Sequence, residues 1–115
     1  MKLSGEAKLL RIFVGEASRH EGEPVYDLIV EEAKKRGLAG ATVLRGTVGF
    51  GANSRLHTAK ILRLSEDLPM VVEIVDEADK IDGFMPFLDE VLEEGLVTQE
   101  KVEVVHYRHN KGGEG

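Results

Sequence analysis

The chain has 115 residues, no cysteine and a formal net charge of −6 at pH 7, with 21 acidic residues against 15 lysines and arginines. This is the length of one domain, and the lack of cysteine excludes disulfides, thiolate metal sites and cysteine nucleophiles. No apolar run approaches the ~20 residues that cross a bilayer, and residues 1–8 are too polar for a signal peptide, so we expect a cytoplasmic protein.

The first part of the chain predicts a strand, a helix and a second strand. Residues 7–14 (AKLLRIFV) form a nearly continuous apolar run between glycines, which is typical of a buried strand. Pro24 suits the first turn of a helix that ends at Gly37. The apolar residues between them recur at the spacing of three and four that is typical of one helix face. A second strand is predicted over residues 41–48.

The remaining chain predicts the same pattern again. Apolar and polar residues alternate over residues 59–64, which predicts a ribbon that continues the second strand and turns back along it. Residues 65–69 are predicted to form a turn. Residues 70–75 (MVVEIV) predict a buried strand. A helix follows from about 76–79 to Gly95, and Pro86 within it implies either a late start near Asp82 or a kink. Residues 102–107 predict the last strand.

This order is that of an α+β, ferredoxin-like split βαβ fold, β-α-β, loop, β-α-β, with a four-stranded antiparallel sheet and two helices on one face. We expect a single domain over residues 1–109, with a long loop at about 49–68 and a disordered tail at 110–115. The two central strands are apolar at both odd and even positions. A sheet covered on one face should alternate, so we expect another copy of the protein to cover the second face.

A basic segment follows the second strand. No Asp or Glu occurs from residue 33 to residue 65, although the chain as a whole is acidic. The basic residues of this window are unopposed in sequence, which predicts a local positive field suited to a small anionic ligand rather than to nucleic acid. They are Lys34, Lys35, Arg36, Arg45, Arg55, Lys60 and Arg63.

With these residues in view, the chain resembles the PII-like (GlnB-like) signalling superfamily, and more closely its uncharacterised PII-like family with a GATVLRG segment, a GFG and an HTAKI-type stretch. The resemblance spans residues 9–107 and rests on Gly49-Phe50-Gly51 and His57-Thr58, with residues 52–67 matching the mobile partner-binding loop. It implies a trimer that binds adenine nucleotides in clefts between subunits and signals to a protein target. It implies neither an enzyme nor membrane insertion.

Two features depart from the PII pattern. Where PII proteins hold phosphates with a glycine-rich turn that ends in Lys, this chain has residues 95–101 (GLVTQEK), in which only Gly95 and Lys101 match. The C-terminal arginines of PII have no counterpart beyond Arg108. Fewer phosphate donors predict a preference for AMP or ADP over ATP.

The nucleotide-binding residues expected from the basic segment and the resemblance are Arg45, Gly49, Phe50, Gly51, Arg55, His57, Thr58, Lys60 and Lys101. Arg45 and Arg55 are the preferred phosphate ligands, because Arg forms bidentate contacts with phosphate oxygens. The glycines Gly46, Gly49 and Gly51 fit either a tight turn or close approach of the backbone to a ligand.

No catalytic residue and no metal ligand are predicted. His57 has no nearby partner in sequence, and Glu73, inside an apolar strand, suits a paired position at a subunit seam better than catalysis. Two alternatives stay open. One is a trimer similar to the CutA family that binds divalent cations through His57 and acids of a neighbouring subunit. The other is a small enzyme acting on nucleotides.

Overall fold

The computed structural model describes residues 5–46, 48–49, 57–58 and 68–108. Two helices and four main strands form the body of the fold, and four two-residue strands make two short ribbons. In chain order the elements are β1 (Gly5–Gly15), β2 (Arg19–His20), β3 (Glu23–Pro24), α1 (Val25–Lys35), β4 (Thr42–Arg45), β5 (Val48–Gly49), β6 (His57–Thr58), β7 (Pro69–Asp76), α2 (Ala78–Val91) and β8 (Leu96–Val104).

The four main strands form one antiparallel sheet in the order β4-β7-β1-β8. The central pair is β1 and β7, in which Ile12 lies opposite Val72. Strands β1 and β4 are not neighbours, since β7 lies between them. This is the sheet of the ferredoxin-like split βαβ fold, so the predicted fold class is confirmed.

The core lies between the helices and one face of the sheet. Alternate residues of the two central strands point to this face, and Leu10, Ile12, Val72 and Ile74 are at most 1% exposed. Both helices contribute one apolar stripe each to the same cluster, led by Ile29 and Phe84. Burying each such side chain stabilises the fold by about 1.5–3 kcal/mol, which is why the helices lie on this face.

Helix α1 confirms the predicted bounds, because it follows Pro24 and stops before Gly37. At its C-terminus the N–H of Gly37 donates to the carbonyl of Lys34 and that of Leu38 to the carbonyl of Ala33, both at 3.0 Å. This pair of bonds is a Schellman motif, which needs a left-handed residue at the position of Gly37, where φ is 74°.

The start of helix α2 decides against one of the two alternatives that Pro86 implied. The helix starts at Ala78, so a late start near Asp82 is wrong, and Pro86 lies inside the helix. Because proline has no N–H, Pro86 cannot bond to the carbonyl of Asp82 one turn earlier. The helix tolerates this loss while its apolar face, including Phe84, is buried against the sheet.

The last strand begins six residues and ends three residues earlier than predicted. Strand β8 runs from Leu96 to Val104, whereas the pattern favoured residues 102–107. Most of β8 is exposed because it is an edge strand, so polar residues such as Thr98 and Gln99 occupy it without an apolar pattern. Its strand conformation is imposed by its pairing with β1, which periodicity along the chain does not reveal.

The other face of the sheet, called here the open face, carries no helix among the residues that the structure describes. Its residues alternate with those of the core. Apart from Ala7, those whose burial is described are partly or fully exposed, and Leu44 and Leu96 are 49% and 56% exposed. Its partly or fully exposed apolar members include Leu9, Phe13, Leu44, Val71, Val75, Leu96, Val102 and Val104. In the parts of the chain that the structure describes, no helix is long and apolar enough to cross a membrane.

Candidate functional site

The two ends of the segment 47–67 meet at one end of the sheet. The N–H of Gly46 donates to the carbonyl of Pro69 at 2.7 Å, and the N–H of Glu16 donates to the carbonyl of Leu68 at 2.8 Å. Strands β1 and β4 end here and β7 begins. We call residues 15–16, 45–46 and 68–69 the loop root, since they hold both ends of the long segment in which most of the predicted binding residues lie.

Gly46 is required at the loop root by packing. A Cβ atom at this position would lie 2.7 Å from Cγ of Pro69, closer than real Cβ contacts come. The glycine therefore lets β4 approach the start of β7 closely enough for the backbone hydrogen bond to form. This packing against β7 is a role that neither interpretation of the glycines, a tight turn or close approach to a ligand, had included.

A short ribbon continues from the loop root. Strands β5 and β6 pair antiparallel, with Val48 opposite Thr58 and Gly49 opposite His57. The backbone thus brings Gly49, His57 and Thr58, three of the predicted binding residues, to one stem that begins three positions after Arg45. Four further predicted residues, Phe50, Gly51, Arg55 and Lys60, lie outside the described residues, as do the ribbon predicted at 59–64 and the tail 110–115.

Arg45 is paired with an acid, contrary to the expectation of unopposed basic residues. Its Nη2 forms an ion pair with Oε2 of Glu16, and the two side chains are 56% and 25% exposed. Arg36 likewise donates to Glu32 at 2.7 Å, and Lys35 lies 3.9 Å from the same carboxylate. Glu16 and Glu32 precede the acid-free window in sequence, so the fold supplies the counter-charges that the window itself lacks.

Lys101 lies far from the loop root within one chain. It is an exposed residue of β8 opposite Lys8, and β1 continues for seven more residues to Gly15, roughly 23 Å at about 3.3 Å per residue. The run that corresponds to the glycine-rich turn of PII proteins is extended here, because residues 96–101 belong to β8. Gly95 alone lies at the near end, with φ of 141° and a hypothetical Cβ 2.8 Å from the carbonyl oxygen of Phe13.

A charged cluster lies in the middle of the open face. Arg11 donates through Nε to Glu73 at 2.8 Å and through Nη1 to Glu100 at 3.0 Å. The hydrogen bond to Glu73, followed by the charges of Glu73 and Glu100, raises the pKa of Arg11 above its ordinary value. Glu73 is thus paired within its own chain, and its predicted place at a subunit seam stays a prediction.

Two of these partners escaped prediction from the sequence. Arg11 is the one charged residue in the apolar run 9–14, as Glu73 is in the run 70–75. Two opposite charges in two otherwise apolar strands could have indicated that they pair. Glu16 follows a glycine at the end of a strand and carried no such signal. Within the described ranges no three His, Asp or Glu side chains are grouped so that they could hold a metal ion.

Comparison with known proteins identifies the family. Residues 7–104 match the model of DUF190, described as "Uncharacterized ACR, COG1993". The chain belongs to the DUF190 family. A protein from Aquifex aeolicus (strain VF5), named UPF0166 protein, is 46% identical over 101 residues, which cover 86% of this chain and 93% of that protein.

Solved structures of low identity share the fold of this DUF190 protein. A putative PII-like signaling protein from Thermus thermophilus superposes with a TM-score of 0.63 at 20% identity, covering 99% of this chain and 98% of that one. CPII, a nitrogen regulatory PII-like protein from Thiomonas intermedia K12, was solved bound to ADP, AMP and bicarbonate. Its TM-score is 0.60 at 16% identity, with 88% and 90% of the two chains covered. The expected resemblance to PII-like proteins is confirmed at the level of fold.

Proposed function

We propose that this protein is a PII-like regulatory protein that binds an adenine nucleotide, AMP or ADP in preference to ATP, and signals to a protein target through residues 52–67. The observation that carries the proposal is the arrangement at the loop root. There Arg45 ends β4 three positions before the stem in which Gly49 lies opposite His57, at the base of the segment expected to contact the target. A PII-like protein of the same fold binds ADP and AMP.

The chemistry at the loop root suits a phosphate group. The Arg45 side chain is more than half exposed, and a guanidinium can form two parallel hydrogen bonds to phosphate oxygens. Arg55 and Lys60 belong to the segment that this root holds. A ligand that neutralises these cations stabilises the loop conformation that brings them together.

The preference for fewer phosphates follows from the end of the chain. Residues 96–101 are engaged in strand pairing with β1 and do not form a glycine-rich turn whose N–H groups could surround a phosphate chain. Lys101 lies roughly 23 Å along β1 from the loop root, too far for it and Arg45 to hold the same phosphate group within one chain. It can contact that group only from a neighbouring copy, which agrees with a site between subunits.

A homo-oligomer, in our proposal a trimer, provides such clefts. The open face carries apolar side chains around the Arg11 cluster, and a second copy of this chain is the proposed occupant. The charges of the Arg11 cluster are already paired within one chain, so a second copy can form apolar contacts around them without burying an isolated charge. Ligand binding in the cleft would then bias the loop between two states, with a coupling free energy of about 1–3 kcal/mol.

Calorimetric titration with AMP, ADP and ATP tests the proposal, on the wild type and on Arg45→Ala and Arg55→Ala variants. We expect AMP or ADP to bind with micromolar affinity, about −8 kcal/mol, at up to one site per subunit, and each variant to weaken binding. Arg19→Ala is the matched control, because Arg19 is an exposed arginine outside the loop root. Binding of ATP with equal or higher affinity would refute the preference, and no binding of any nucleotide would refute the function.

The oligomeric state is measured in the same samples by light scattering. A trimer is the expected mass at micromolar concentration. A monomer that nevertheless binds nucleotide would remove the inter-subunit cleft while leaving the ligand class in place.

A further inference from the structure

Glu16 forms an ion pair with Arg45, the cation that the proposed ligand needs. Its backbone is fixed by the hydrogen bond from its N–H to Leu68, and its side chain is three-quarters buried while it contacts Nη2 of Arg45. The carboxylate is therefore held beside Arg45 by the backbone that closes the loop root. The ion pair is therefore part of the structure of the loop root and does not depend on a fully exposed side chain.

A carboxylate and a phosphate use a guanidinium in the same way. Both accept two parallel N–H donors and both neutralise the same positive charge, so they compete for one planar group. A phosphate monoester carries up to two negative charges near neutral pH, whereas Glu16 offers one. A phosphate can therefore displace Glu16 from Arg45, while a weaker monoanion gains little from the exchange.

We propose that Glu16 is a built-in competitor for the anion that Arg45 binds, and that it sets the charge a ligand must carry to engage the loop root. The identity of that anion as a nucleotide phosphate rests on the proposed function. Displacement breaks the side-chain link between the end of β1 and the end of β4. The backbone bonds from Glu16 to Leu68 and from Gly46 to Pro69 do not involve that side chain, so the exchange changes the loop root without dismantling it.

The first test is a double-mutant cycle on AMP affinity. Glu16→Gln keeps the shape of the side chain and removes its charge, so AMP should bind about two- to fivefold more tightly, the fold-change that corresponds to an exposed ion pair. The same change should give no gain in an Arg45→Ala background. Glu93→Gln, an exposed residue beyond α2, controls for the altered net charge and should leave the affinity unchanged. If the wild type binds AMP, an equal gain with and without Arg45, or no gain at all, would overturn the proposal.

The second test does not depend on nucleotide binding. Arginine modification by phenylglyoxal, mapped by mass spectrometry, reports how free Arg45 is, with Arg19 in the same molecule as the reference. Arg45 should react faster in Glu16→Gln than in the wild type, and inorganic pyrophosphate should protect it more strongly in the variant. Glu16→Ala should behave in the same way.

These two tests separate the two ideas. If no nucleotide binds but pyrophosphate protects Arg45 better once Glu16 is neutralised, the proposed nucleotide function fails and the competitor role stands for another anion. An unchanged rate of Arg45 modification in both Glu16 variants overturns the competitor role whatever the titrations show. Faster modification without protection by AMP or by pyrophosphate overturns it as well, because Arg45 then binds no phosphate.

Discussion

Asp76 holds the backbone of Ala39 across the fold. Its Oδ2 accepts the N–H of Ala39 at 2.8 Å and its Oδ1 accepts the N–H of Glu77 at 2.6 Å. The carboxylate is a buried charged group at the edge of the core, with 0% of the residue's surface exposed. It therefore joins the end of β7 to the connection that leads from α1 into β4.

Replacing Asp76 should destabilise the protein more than any exposed acid does. Asp76→Ala leaves two N–H groups without their acceptor, and Asp76→Asn turns an amide N–H₂ toward one of them. We expect either variant to lower the free energy of unfolding by about 2–4 kcal/mol, as for the loss of buried hydrogen bonds to a charged group. Urea denaturation measures the loss. Asp89→Asn, on the exposed side of α2, is the control, and an equal effect of the two Asn variants would contradict the role of Asp76.

Gly46→Ala should disturb the loop root. The added methyl would lie 2.7 Å from the ring of Pro69, which is rigid, so β4 and β7 must separate and the bond from Gly46 to Pro69 must lengthen. We expect a loss of about 1–3 kcal/mol in thermal or urea unfolding. Gly40→Ala is the matched control, because nothing lies within 4 Å of its Cβ position, and it should be neutral or slightly stabilising. A neutral Gly46→Ala would show that the close approach to Pro69 is not required.

Arg36 contacts both helices, so its replacement should lower the free energy of unfolding. The guanidinium carbon lies 5.5 Å from the ring centroid of Phe84 and 5.8 Å from that of Phe87, and Nη1 donates to the carbonyl of Gly83 at 2.9 Å. Arg36→Met keeps the apolar stem and removes these contacts, with an expected loss of about 1–2 kcal/mol. Arg36→Lys should recover only part of it, since an ammonium cannot reach Glu32 and Gly83 with one planar group. Arg19→Met serves as the control in the same unfolding assay, and an equal loss in both Met variants would contradict the role of Arg36.

Arg11 should control assembly through the open face. Arg11→Met leaves the carboxylates of Glu73 and Glu100 without their cation, so the proposed oligomer would have to bury two uncompensated negative charges. We expect the variant to dissociate at concentrations at which the wild type is assembled, as measured by sedimentation velocity. The double variant Arg11→Met, Glu73→Leu should recover part of the assembly, because one charge is then removed. Unchanged assembly of Arg11→Met would show that subunits meet elsewhere.

The raised pKa of Arg11 bears on conditions for this experiment. A cation whose folded pKa exceeds its unfolded value contributes its stabilisation below the unfolded pKa and loses it only as the pH rises through the folded value. The ordinary pKa of an arginine already lies far above neutral pH, and that of Arg11 is raised further. Raising the pH from about 7 to about 9 should therefore leave assembly unchanged as far as Arg11 is concerned, so that the substitution and not the buffer tests its role.

The sequence by itself determined the fold class. The apolar runs of β1 and β7 and the helical spacing before Gly37 depend on local periodicity and on the backbone freedom of glycine, both of which are properties of a short stretch of chain. The unalternating strands also indicated that both faces of the sheet carry apolar side chains. The GFG and HT residues supported the resemblance to PII-like proteins.

Tertiary structure decided which charges meet. Glu16 and Arg45 are 29 positions apart, and Arg11 and Glu73 are 62 apart, so no local pattern pairs them. Strand β8 was misplaced for the same reason, since an edge strand takes its conformation from its neighbour and not from its own polarity. Electrostatic partners and edge pairing depend on distances that only the folded chain sets, and they decide whether a basic residue such as Arg45 is free or already occupied.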